Sequence, residues 1–185
     1  CYPEGHFHPG KTSSTSTLVA QGPLKVTYRS TTNDNLWECV WEVFPLYARM
    51  TMVKADHPFW LLYEGTPGGS VESSTDFMTF SDGTVKTLSE IWTGELSGDE
   101  WVYFSDPNTA GSGRSLYVAL HENDSFTDSY FTLSEAMTVW GFGRDNVTPY
   151  LTPTPKHMTI GLMDGTGFSA SATTIRGAYK PLAPS

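Results

Sequence analysis

The chain has 185 residues, one domain's length, with 17 Gly, 12 Pro, 14% aromatic residues and a formal net charge of −9. A chain of this size buries a core without metal or disulfide staples, and its turn-rich composition points to strands rather than helices. The acidic balance excludes nucleic acid or an anionic membrane surface as the main partner, because phosphate contacts need a basic stripe, and no apolar run reaches the roughly 20 residues of a spanning helix.

Residues 1–20 form a polar arm expected to be flexible, and residues 1–23 lack the basic start and apolar middle of a signal peptide. A chain that opens on Cys1 reads as the trimmed start of a secreted protein. The two cysteines, Cys1 and Cys39, allow one bridge, which would pin the arm to a strand in an oxidising compartment. The competing reading makes Cys1 the lipid-bearing residue of a surface-anchored lipoprotein and Cys39 a buried thiol. Asn123 and Asn146 head sequons that a eukaryotic secretory route would glycosylate.

From residue 23 onward, short β-branched and aromatic runs alternate with turn chemistry: "PLKVTYRS", "LWECVWEVF", "YARMTMVKA", "PFWLLYEG", "DFMTFSDGTVKTL", "EWVYFSD", "RSLYVALHE", "MTVWGFGR", "KHMTIGLMDG" and "ATTIRGAY". Asp82-Gly83 marks a hairpin, read as type I′. Residues 87–96 and 132–137 read as short helical turns with capping Ser or Thr ahead of Glu. The expected fold is an all-β antiparallel sandwich of the jelly-roll or concanavalin A-like kind, with a single domain over residues 21–180 and a tail at 181–185 that could lead to a further domain. In "HPFWLLYEG" both faces are apolar, so this strand is expected at the centre of its sheet.

Alternation sorts the side chains of each strand onto two faces. Leu116, Val118 and Leu120 oppose Tyr117, Ala119 and His121; Met50 and Met52 oppose Arg49 and Thr51; Val102 and Phe104 oppose Trp101 and Tyr103; Met137 and Val139 oppose Trp140, Phe142 and Arg144. Four strands thus carry an aliphatic face and a polar, aromatic one. Sugar rings stack their C–H faces on Trp and Tyr while Arg, His and Glu take hydroxyls or carboxylates, so the second face reads as a carbohydrate groove. The alternative is that these aromatics fill a second core.

The segments "FWLLYEGTPGG", "WVYFSDP" and "MTVWGFGR" resemble secreted bacterial β-sandwich domains associated with glycan-degrading systems, a likeness spanning most of residues 37–163. The resemblance implies fold and extracellular location more than chemistry.

The chemistry is read from residue types. Glu38 and Glu42 lie roughly 13 Å apart on one strand, too far for the carboxyl pair of a glycosidase at about 5 to 9.5 Å. A polysaccharide lyase instead needs a cation against the uronate carboxylate, a base for the C5 proton and an acid for the leaving oxygen. His121, Tyr63, Arg144, Tyr117 and Arg49 are candidates for those roles, with Trp101, Tyr103, Trp140 and Glu64 as substrate-binding groups. No cofactor is implied; Glu122, Asp124 and Asp128 in "HENDSFTD" are the oxygen ligands that a structural Ca²⁺ would use. No nucleophile elbow, catalytic Cys/His pair or phosphate-cradling loop is present. The reading is an extracellular lyase acting on an acidic polysaccharide. A non-catalytic carbohydrate-binding or adhesion module and a structural subunit of a surface assembly are the alternatives.

Overall fold

A computed structural model describes residues 14–178 apart from 110, 134, 135 and 153. The chain folds as an antiparallel β-sandwich. The larger sheet has nine strands in the order β1 (Ser14–Gln21), β2 (Val26–Thr32), β3 (Glu38–Val43), β4 (Tyr47–Lys54), β15 (Lys156–Asp164), β10 (Arg114–Leu120), β9 (Trp101–Asp106), β6 (Phe77–Phe80) and β7 (Val85–Thr87). The smaller has four, ordered β5 (Leu61–Gly65), β12 (Met137–Phe142), β11 (Asp128–Leu133) and β8 (Trp92–Gly94). A short ribbon pairs β13 (Arg144–Asp145) with β14 (Thr148–Pro149).

The main core lies between the sheets. Met50, Met52, Val102, Phe104, Val118, Leu120 and Met158 come from the larger sheet; Leu61, Tyr130, Trp140 and Phe142 come from the smaller. Aromatic packing ties them together. Phe104 lies 5.8 Å from Tyr130 and 6.2 Å from Trp140, and the Tyr130 hydroxyl donates to the Leu88 carbonyl at 2.8 Å.

A second, smaller core sits on the outer face of the larger sheet. The helix α1 (Phe168–Ala178) lies over Trp101, Tyr103, Tyr117, Ala119 and Met163, burying Ala172 and Ile175 against them. Gly161 makes this packing geometrically feasible: a Cβ there would come within 2.6 Å of the Tyr117 ring, which lies over the bare backbone. Both faces of β9 are therefore covered, and all six of its residues are buried.

Five expectations change. The segment "ATTIRGAY" is not a strand, because Ser171, Ala172 and Ile175 place their buried side chains at helical spacing; the β-branched Thr173, Thr174 and Ile175 had suggested otherwise. Residues 87–96 form a turn and β8 rather than a helical turn; of the segment 132–137, residues 132 and 133 end β11 and residue 137 opens β12, while 134 and 135 lie outside the described residues. Residues 14–20, assigned to the flexible arm, are part of β1. The β6–β7 hairpin turns on Gly83 at φ 88°, with no left-handed residue at Asp82, so it is not type I′. Finally, β5 is an edge strand, and Trp60, just before it, is covered by the Arg144 guanidinium 4.9 Å from its ring rather than by a neighbouring strand.

Ile175 is 0% exposed beneath α1. Ile175→Ala is expected to lower the unfolding free energy by about 2–5 kcal/mol, the usual cost of truncating a buried aliphatic side chain, measured by urea titration followed by tryptophan fluorescence.

Candidate functional site

The residues assigned to one groove fall in three places. Arg49, His121, Tyr117, Trp101 and Tyr103 are on the outer face of the larger sheet; Tyr63 and Trp140 point into the inter-sheet core; Glu64 and Arg144 lie outside the smaller sheet. The alternation holds within β4, β9, β10 and β12 but breaks at Gly143 (φ 64°), so Arg144 leaves the side it was read to share with Trp140 and Phe142. What also differs is which side turns inward: β4, β9 and β10 bury their aliphatic side, whereas β12 buries Trp140 and Phe142.

Several of the nine are consequently closed to a ligand. Trp101 and Tyr103 are covered by α1, and Tyr117 is 2% exposed there, its hydroxyl pushed up to about 12 by burial. Trp140 is fully buried. Tyr63 stacks on Phe104 with ring centroids 6.2 Å apart, and burial raises its pKa. Arg144 is held between Trp60 and Phe131, 4.9 Å from each ring, with its Nε donating to the Asn146 carbonyl at 2.7 Å. Glu64 is exposed.

A smaller group does come together on the outer face, beside the end of α1. Arg49 on β4 stands opposite Thr159 on β15, and Thr51 stands opposite His157. The His121 backbone N–H, one residue past β10, donates to the His157 carbonyl at 3.0 Å. Each imidazole has a hydroxyl partner: His157 Nδ1 lies 2.9 Å from Thr51 Oγ1 and His121 Nε2 lies 2.7 Å from Thr159 Oγ1, with the two rings 5.9 Å apart. Arg49 reaches the Ala178 carbonyl at 3.5 Å and the Glu42 carboxylate at 3.9 Å.

Burial sets the charge of this group. It pulls His121 down to about 4, with Arg49 and His157 adding to the effect, and lowers His157 in the same direction. Both imidazoles are neutral at neutral pH and able to accept a proton. His157, Arg49 and Thr51 are half-buried, whereas His121 is only 4% exposed. His157 and Thr51 were therefore missed as site residues, although "KHMTIG" places His157 and Thr159 on one side and "YARMT" does the same for Arg49 and Thr51.

Behind this face lies a buried charged group. Lys156 reaches Glu122 and lies 3.9 Å from Asp124, the Asp124 backbone N–H donates to Glu100, and Asp128 accepts from the Gly143 N–H at 2.9 Å. Glu122 and Asp124 share Lys156 while Asp128 accepts from the Gly143 backbone, and among the described residues no three His, Cys, Asp or Glu side chains are grouped as metal ligands. Cys39 is a buried free thiol, pushed up to about 11 chiefly by burial; its assigned partner Cys1 lies outside the described residues. No protein-family model matches the chain, and a search of curated proteins finds no match.

Glu100 is 1% exposed and pushed up from 4.5 to about 8 by burial. Between those values the folded chain holds a proton that the unfolded chain has released, so stability falls as pH rises. His121 gives the opposite slope, but only between about 4 and 6.5. Stability is therefore expected to fall from pH 6.5 to 8, and Glu100→Gln to flatten that fall, as read by melting temperature in a buffer series.

Proposed function

We propose that the chain is an extracellular carbohydrate-active protein that binds an acidic polysaccharide on the outer face of its larger sheet and cleaves it by β-elimination. The observation that carries this reading is the presence of Arg49, His157 and His121 on one face of adjacent strands, with both imidazoles uncharged at neutral pH.

In this reading the Arg49 guanidinium neutralises the uronate carboxylate, which acidifies the C5 proton. Neutral His157, oriented by Thr51, takes that proton. The electron pair forms the C4–C5 double bond as the C4–O bond breaks, and the leaving oxygen takes its proton from solvent water; Tyr47, opposite Gly161, is four residues along β4 from the Thr51–His157 pair and too far to supply it. His121 is too buried to touch the sugar; with Thr159 it supports the β10–β15 edge of the site. Tyr63, Arg144, Tyr117 and the substrate-binding aromatics have no part in it.

The burial of His121 and Tyr117 favours a second reading, a binding module that uses Arg49 and the neighbouring polar side chains without chemistry. One experiment separates the two. Across a panel of acidic polysaccharides, ultraviolet absorbance of the unsaturated product is expected for the parent, with Arg49→Ala and His157→Ala slower by about 10²-fold or more and Tyr63→Phe and Arg144→Ala close to parent. Retention of a polysaccharide without any such product would replace the lyase by the binding module.

A further inference from the structure

Between the β6–β7 hairpin and β8 lies a cleft of about 190 Å³, remote in sequence from the Arg49 group. Its apolar wall is made by Phe80, Trp92 and Leu96, and its rim carries Asp82, Lys86 and Glu95. Trp92 is half-buried and fixed in place: its indole lies nearly parallel to Trp140 at 5.4 Å, and the Phe80 ring is 4.8 Å away. An indole locked from behind costs a ligand little ordering entropy.

The rim chemistry narrows the ligand. Lys86 is already paired with Glu90 at 3.1 Å, and Asp82 accepts the Thr84 backbone N–H at 2.7 Å. Exposed Glu95 adds a second carboxylate, whose charge reaches inward to Glu100, Asp124 and Asp128. The cleft therefore repels carboxylates while offering acceptors for hydroxyl or ammonium groups. Its volume suits one pyranose ring, with the C–H face against the apolar wall and hydroxyls at the rim.

We propose that this cleft is a second carbohydrate site, taking a single neutral or amino sugar unit and excluding uronates. It rests on the reading of the chain as a carbohydrate-active protein but not on cleavage at Arg49. A polymer engaged at both places would be held by effective concentration, with each contact individually weak.

The test is an NMR titration of the isotope-labelled full chain with glucose, glucosamine and glucuronate, following the Trp92 indole N–H, assigned by its loss in Trp92→Phe. Glucose and glucosamine are expected to move that signal saturably and glucuronate to leave it in place. Glu95→Ala is expected to weaken glucosamine binding about fivefold or more, the worth of one hydrogen bond, and Arg49→Ala to leave it unchanged. The proposal is overturned if neither neutral nor amino sugar shifts the signal, if glucuronate shifts it equally, or if Glu95→Ala has no effect. A persisting Trp92 response in a protein that neither cleaves nor retains any acidic polysaccharide would overturn the outer-face reading and leave this one standing.

Discussion

The arrangement of the molecule follows from a mismatch in width between its two sheets. At about 4.8 Å per strand, nine strands span about 38 Å and four span about 14 Å, so the smaller sheet covers only part of the larger. The consequences are visible on both faces. At the β1–β2 edge, Leu18 and Tyr28 remain 49% and 40% exposed although their side of the sheet is the core side. On the opposite face, the aromatic side chains of β9 and β10 have no second sheet and are covered by α1 instead. One helix of 11 residues cannot cover nine strands, and the outer surface it leaves is where Arg49, Thr51 and His157 stand half-buried.

The covering helix thus does two things at once. It converts Trp101, Tyr103 and Tyr117 from a sugar platform into a second core, and its last residues come up against Arg49, whose guanidinium reaches the Ala178 carbonyl. A guanidinium that reaches the Ala178 carbonyl on one side and Glu42 on the other is held in position rather than free to sweep the surface. Orientation of this kind is what a carboxylate-binding group needs, and it arises from the packing of α1 rather than from any motif around residue 49.

Buried charge has a separate role near this face. Lys156 is almost wholly enclosed and is balanced by Glu122 and Asp124, while Glu100 and Asp128 accept from the backbone N–H groups of Asp124 and Gly143. Burial raises the pKa of Glu100, Asp124 and Asp128. The same desolvation keeps the adjacent His121 and His157 uncharged at neutral pH. A low-dielectric environment shared by both groups thus outweighs the pull of Glu122 and Glu42 on His157 and sets its proton affinity on the outer face.

Sequence alone determined the class of fold, most of the strands and the two-sided character of each, because a period of two is a local property of consecutive residues. It also determined that Arg49 and Thr51 share a side, as do His157 and Thr159. Three things were decided only in three dimensions. Which side of β12 turns inward depends on its pairing with β5 and β11, and this sent Trp140 to the core, while the positive φ of Gly143 broke the alternation and put Arg144 on the opposite surface. The placement of β15 between β4 and β10 joins residues more than a hundred positions apart and creates the His157–Thr51 pair. The helix over β9 and β10 forms because small residues at helical spacing bury against an aromatic face that would otherwise stay in water, a gain in hydrophobic burial that no local pattern in residues 168–178 could announce without the sheet beneath it.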